Sequence, residues 1–173
     1  MTKEKKLNIL SIDCDWVISL RHQEDLLSFT IPLLFKHENI ILDYSHDKIY
    51  THFTHNYDEY NLYNIDHHHD YAYCKYETLD EGNWLYHLSN IFLKKINYIW
   101  INNPESEHPS HLNMEKIREK LRSYKFDQRL NFIPQQTFDK IFVCCSPEYN
   151  TKVGITTFKI IERLINDNKK SNT

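Results

Sequence analysis

Five short apolar runs alternate with four longer amphipathic segments along this chain, and that alternation constrains its fold more than any other feature. Residues 7–12 (LNILSI), 40–43 (IILD), 62–65 (LYNI), 98–101 (YIWI) and 140–145 (KIFVCC) read as buried strands. Residues 23–36, 82–95, 113–124 and 153–165 read as helices, the last with apolar positions near i, i+3 and i+4. Strands that alternate with helices predict an α/β fold, a three-layer sandwich around a mostly parallel central sheet. With 173 residues and no repeat or low-complexity linker, residues 1–173 are expected to form a single domain.

Composition narrows the function classes. The formal charge of -3 gives no reason to expect nucleic acid or an anionic membrane as a partner. No apolar run approaches the ~20 residues of a membrane span, and MTKEKK leads into a strand-like segment rather than a secretory signal. Cys14, Cys74, Cys144 and Cys145 form no CxxC pair and no disulfide-framework spacing, which fits a reduced cytoplasm.

Ligands of parallel sheets bind outside the carboxyl ends of the strands, and two acidic motifs sit there. Ser11-Ile12-Asp13-Cys14-Asp15 closes the first strand; in an extended chain Asp13 and Asp15 share a side and Cys14 points away. Asp66-His67-His68-His69-Asp70 closes the third, and positions 66, 68 and 70 then present carboxylate, imidazole and carboxylate together. His67 and His69 would face away, where each could orient a ligand. Such donors suit Mn²⁺ or Fe²⁺ as well as Zn²⁺. Either motif alone also suits a capped strand end or a solvated turn. His46 follows the second strand and gains weight only from their company; His52 and His55 could bind a metal no worse. A metal-free binding module would leave facing carboxylates to repel one another.

At these residues the chain resembles the arginase and deacetylase-like ureohydrolases, whose marks are a histidine after a strand, DxHxD and SxDxD. Asp66-His68-Asp70 matches DxHxD, Ser11-Asp13-Asp15 matches SxDxD, and His46 stands as the preceding histidine. Glu81-Gly82-Asn83-Trp84-Leu85 and the later YIWINNPES are similar to the small branch that includes the peptide arginases of ribosomal-peptide modification. The likeness runs from Leu7 to about Ser106 and is thinner beyond. SxDxD comes first here, which requires a circular permutation or a rearranged branch, and the chain is much shorter than full-length arginases.

The resemblance implies an arginase-like fold and two Mn²⁺ ions. Asp13 and Asp66 would bridge them, His46 and Asp70 completing one site and Asp15 and His68 the other. It implies hydrolysis of arginine side chains in a peptide to ornithine and urea, with Asp70 aligning the attacking water. Glu148, in CCSPEYN, is the best-placed carboxylate for the guanidinium, with Glu81 and Glu105 as further candidates; Asn83 and Trp84 would help bind substrate. His87, His69 and His52 are all possible proton donors to the leaving amine.

The same letters also resemble the DHH phosphoesterases, whose order of DxD, lone aspartate and DHH is met by Asp13-Asp15, Asp43 and Asp66-His67-His68 without permutation. That reading implies a Mn²⁺ enzyme acting on pyrophosphate or short nucleotides. Against it, a chain whose only glycines are Gly82 and Gly154 cannot supply that family's glycine-rich phosphate loop.

Overall fold

The computed structural model describes residues 4–71, 77–105, 114–133 and 138–171; Cys74 lies outside them. Six strands, β1 (Lys6–Asp13), β2 (Ile40–Asp43), β3 (Glu59–Ile65), β4 (Ile96–Ile101), β5 (Ser123–Asp127) and β6 (Lys140–Cys144), form one sheet in the order β2-β6-β1-β3-β4-β5. Every pairing is parallel, so the sheet is wholly rather than mostly parallel. Helices α1 (Leu20–Leu34), α2 (Trp84–Ile91), α3 (Met114–Lys120) and α4 (Lys152–Ser171) complete the expected three-layer α/β sandwich. No helix among the described residues is long and apolar enough to cross a membrane.

Alternation along the strands sorts the core into two faces. Leu7 and Ile9 of β1, Tyr60 and Leu62 of β3, Tyr98 and Trp100 of β4, and Phe142 of β6 pack with Trp84, Leu85 and Leu88 of α2 and Ile117 of α3. This is the front face. Leu10 and Ile12, Ile65, Ile99 and Ile101, and Ile141 and Val143 pack behind, with Leu26 and Leu34 of α1 and Phe158, Ile161 and Ile165 of α4. Both faces of a covered parallel sheet must be apolar, which is why these strands read as near-continuous hydrophobic runs.

The pattern failed at β5. Ser123 and Tyr124 were expected to end the third helix, but α3 stops at Lys120 and SYKFD forms an edge strand. Its residues are half-buried or exposed, and with Lys125 and Asp127 it carries too little apolar pattern to announce itself.

Two local devices position the site. The Ser19 hydroxyl accepts from the His22 amide and starts α1. Thr151 takes the same role for α4, accepting from the Gly154 amide at 3.0 Å while donating to the Val17 carbonyl at 2.8 Å. That second bond ties α4 to the turn after β1. A Cβ on Gly154 would collide with the Cys14 carbonyl and the Asn150 side chain, so the helix reaches that turn only because residue 154 is glycine.

Candidate metal centre

The chain leaves β1 toward β2 on one side of the sheet and leaves β3 toward β4 on the other. The strand order therefore reverses beside β1, the place where open parallel sheets form a crevice at their carboxyl ends. Asp13 ends β1 and Asp66 follows β3 at this point. On the front face the apolar parity continues upward into polar residues: Ser11 and Asp13 above Ile9, Asn64 and Asp66 above Leu62, and Cys144 above Phe142.

His46 is the hub. It begins a 3₁₀ segment after β2 (His46–His52), is 1% exposed, and stacks on the ring of Phe142 with an interplanar angle of 9°. Its Nδ1 lies 3.1 Å from Asp13 Oδ2, 3.1 Å from Asp66 Oδ2 and 2.9 Å from Asp70 Oδ2. One N–H cannot satisfy three carboxylate oxygens at that range, so the point is rich in acceptors and short of donors. Its Nε2 meets the Ser11 hydroxyl at 2.7 Å, which fixes the ring. His52 and His55, open candidates from sequence, are not in the cluster: His52 packs at a tilt on Phe142 and His55 is exposed beside Phe92.

A second group stands next to the first. His68 Nδ1 is 2.8 Å from Asp15 Oδ2, and the His67 amide donates to Asp15 Oδ1 at 3.2 Å. Three sets of side chains offer ligand atoms within 4.8 Å of one another: Asp15, Asp66 and His68; His46, Asp66 and Asp70; and Asp13, His46 and Cys144. Asp66 belongs to two of them and His46 to two. All six residues expected as metal ligands therefore meet in one place, although 66–70 is not extended. Asp70 reaches back only by adopting φ 52°, and Ser146, whose hydroxyl donates to Asp13 Oδ2 at 2.5 Å, has φ 42°. Non-glycine residues hold such backbone rarely and at a cost, and here both contact the cluster.

The electrostatics are those of anions crowded out of water. Burial and the neighbouring Asp13 and Asp66 charges push the Asp15 carboxyl well above its usual range. Burial and Asp70 do the same to Asp66. Burial also raises Asp13, but hydrogen bonds and charge from His46 outweigh it and hold Asp13 low. For His46 burial pulls downward, yet Cys144, Asp70 and the bonds to Asp13 and Asp66 lift it well above an ordinary imidazole. Imidazole and carboxylate donors converging at these separations fit a divalent cation, which would relieve the repulsion that protons relieve only in part.

A cavity of about 190 Å³ opens onto the group, lined by Asp13, Asp15, His68 and Asp70 on the cluster side and by Glu81, Gly82, Ser146 and Tyr149 opposite. Several substrate-site expectations need correction against it. Glu148 is exposed and does not line the cavity; its neighbour Tyr149 does, and the carboxylate at the mouth is Glu81, which hydrogen-bonds Ser45. The loop after β6 turns at Ser146 and carries Glu148 outward. Glu105 lies beyond the turn at Cys14–Trp16, 3.6 Å from His22. Asn83 is fully buried and closes its own turn, accepting from the Asp80 amide and donating to the Thr78 carbonyl at 2.8 Å each. Trp84 does not face the cavity either: it packs on His46 and its indole donates to Asp70 Oδ2 at 2.6 Å. His87 sits on α2 against Tyr86, away from the lining. His69 is buried behind the cluster, its Nδ1 accepting from the Tyr71 amide at 3.0 Å, and His52 donates nothing to the cavity.

Sequence reasoning missed Cys144, Ser146 and Tyr149. The signal for Cys144 was the parity of β6, which puts residue 144 on the same face as Phe142 and beside Asp13, its register partner. Ser146 and Tyr149 enter through loop geometry that no periodicity encodes. Comparison with protein-family models, with curated proteins and with solved structures returned no match.

Proposed function

We propose that this protein is a metal-dependent hydrolase that binds two divalent cations, Mn²⁺ by the resemblance, and cleaves a guanidinium C–N bond, with arginine in a peptide giving ornithine and urea. The observation that carries the reading is the acidic cavity over the Asp/His cluster. Asp13, Asp66, His46 and Asp70 would hold one cation, and Asp15, His68 and the shared Asp13 and Asp66 the other. Bound there, the pair would supply a water acidified enough to attack near neutral pH.

The remaining work falls to the protein's own side chains. Four carboxylates in the cluster balance the charge of two divalent cations, which leaves Glu81 as surplus negative charge facing the cavity. No Lys or Arg occurs among the described residues that line it. A cationic, planar guanidinium matches that balance and can bind a carboxylate through two parallel hydrogen bonds; beyond the cations, a phosphate would find no basic side chain among the described lining residues. Tyr149 offers a ring for stacking at the mouth. Trp84, by donating to Asp70, keeps that carboxylate aimed at the cluster.

The phosphoesterase reading requires Asp43 in the site. The Asp43 carboxylate instead accepts from the amides of Tyr44 and Ser45 at 2.8 and 3.1 Å and caps its own turn. His46 stands in the cluster in its place, which favours the ureohydrolase-like assignment.

The test is urea release from an arginine-containing peptide by manganese-loaded protein, run beside free arginine and a dinucleotide. Release from the peptide, abolished by Asp13→Ala together with metal content, supports the assignment. Cleavage of the dinucleotide alone would replace it with the phosphoesterase, and faster turnover of free arginine would remove the preference for a peptide.

A further inference from the structure

We infer that Cys144 is itself a metal ligand, so that the His46 position is a mixed nitrogen, oxygen and sulfur site that prefers Zn²⁺ to Mn²⁺, while the His68 position remains an oxygen and imidazole site. The inference rests on the two-cation reading and replaces Mn²⁺ with Zn²⁺ at one of its two positions.

The fold puts the sulfur there. Cys144 is the last residue of β6, fully buried, and pairs in register with Asp13 on one side and with Asp43 on the other. Strand parity sends its side chain to the front face with Phe142, on which His46 stacks, and not to the back face with Val143 and Cys145. The Cys144 sulfur and ligand atoms of Asp13 and His46 lie within 4.8 Å of one another, and Ser146 Oγ is 3.8 Å from that sulfur. A cation held by His46 and Asp13 therefore has a thiol within reach.

The two halves of the cluster differ in softness. Asp15, Asp66 and His68 offer oxygen and one imidazole, a set that tolerates Mn²⁺. Asp13, His46 and Cys144 add sulfur, which favours Zn²⁺ and disfavours the harder Mn²⁺. A thiol binds a cation only as thiolate, so its proton leaves to solvent as the metal enters. Among the described cysteines neither Cys14 nor Cys145 can substitute, because both side chains belong to the back core.

Cobalt makes the ligand visible. The full chain is stripped with a chelator, dialysed and titrated with Co²⁺ under anaerobic conditions. The expected result is a near-ultraviolet thiolate-to-cobalt charge-transfer band that saturates with one of two equivalents. Cys144→Ser should lose that band and keep the visible cobalt bands, and Cys145→Ser and Cys74→Ser should keep both. Zinc-loaded wild type should show a sulfur neighbour at about 2.3 Å by X-ray absorption, a reading that needs no variant to fold. The preference for zinc over manganese should drop by about tenfold or more in Cys144→Ser, since even the partners of ligands are worth roughly 10–100-fold in affinity. Cobalt bound without a charge-transfer band, or zinc with no sulfur neighbour, overturns the role of Cys144 and leaves the two-cation reading standing. Failure to bind cobalt at all overturns both.

Discussion

The two faces of the sheet are built from the same strands but end differently. Behind, the apolar series runs through Ile12, Ile65, Ile101 and Val143 at the strand ends and continues as Cys14 and Cys145, sealed by α1 and α4. In front, it stops one step short, and Ser11, Asp13, Asn64, Asp66 and Cys144 rise above the helices as a polar rim. Consecutive residues thus serve opposite purposes. Ile65 is core and Asp66 is site; Val143 is core and Cys144 is site. The lesson is that stability and chemistry are separated here by residue parity rather than by distance, and a one-residue slip would exchange them.

The largest effect should come from splitting such a pair. Asp66→Asn removes the carboxylate shared by two of the ligand groups and should abolish retention of both cations by elemental analysis. Because Asp66 is repelled by Asp70 in the metal-free state, the same variant should unfold in urea at a concentration no lower than the metal-free parent. Ile65→Ala should do the reverse, costing about 2–5 kcal/mol of stability for a buried aliphatic chain while the folded fraction keeps its metal. If Ile65→Ala emptied the site at unchanged stability, the separation by parity would be wrong.

Titration separates the faces next, since the two histidines lifted above their ordinary range, His46 and His68, both belong to the front cluster. Burial pulls His68 down, but its bond to Asp15 and the charges of Asp15, Asp66 and Asp70 prevail and lift it from 6.5 to about 9. A histidine raised in the folded state contributes stability that is complete below pH 6.5 and lost as pH rises to about 9. Metal-free protein should therefore melt at a lower temperature at the upper end of that window. A bound cation must displace the same proton, so metal affinity should climb over the window in which metal-free stability falls. Parallel pH series of melting temperature, with and without chelator, would show the two curves diverging as pH rises; curves that stayed parallel would place the titrating group elsewhere.

How far these contrasts were legible in the sequence follows from the same physics. Five of the six strands and the six ligand candidates announced themselves, because a buried parallel strand is a dense apolar run and its carboxyl end is a known place for polar residues. DHHHD could be set beside Asp13-Cys14-Asp15 because both follow the carboxyl ends of strands. What stayed hidden depends on loops and long-range turns. Glu148 was favoured by closeness in sequence to β6, but the left-handed turn at Ser146 carries it outward and brings Tyr149 to the cavity. Asn83 and Trp84 were read as substrate contacts, yet their polar atoms are consumed inside the protein. Edge strand β5 lacked a pattern because one of its sides never enters the core.

A smaller effect should follow from loosening the front rim without removing a ligand. Trp84→Phe keeps the ring that packs on His46 but deletes the donor to Asp70 Oδ2. Partners of this kind are worth about 10–100-fold in metal affinity, so zinc and manganese titrations should weaken by that factor while the thermal stability of the chelated protein changes little. An unchanged affinity would mean that the left-handed backbone of Asp70 alone orients its carboxylate.

The smallest effect is expected at a carboxylate that shares the rim's neighbourhood but not its role. Asp43 ends β2 and is the register partner of Cys144, so closeness along the sheet would nominate it as a ligand. Its Oδ1 instead accepts from the Tyr44 and Ser45 amides in a half-exposed turn. Asp43→Ala should cost about 1 kcal/mol, the net value of ordinary hydrogen bonds at such a site, with metal content and urea release unaltered. The substitution is demanding because the turn it loosens leads directly into His46. Loss of one equivalent of metal with stability intact would put Asp43 in the coordination shell, return the phosphoesterase order of aspartates to favour, and move the edge of the site from β6 out to β2.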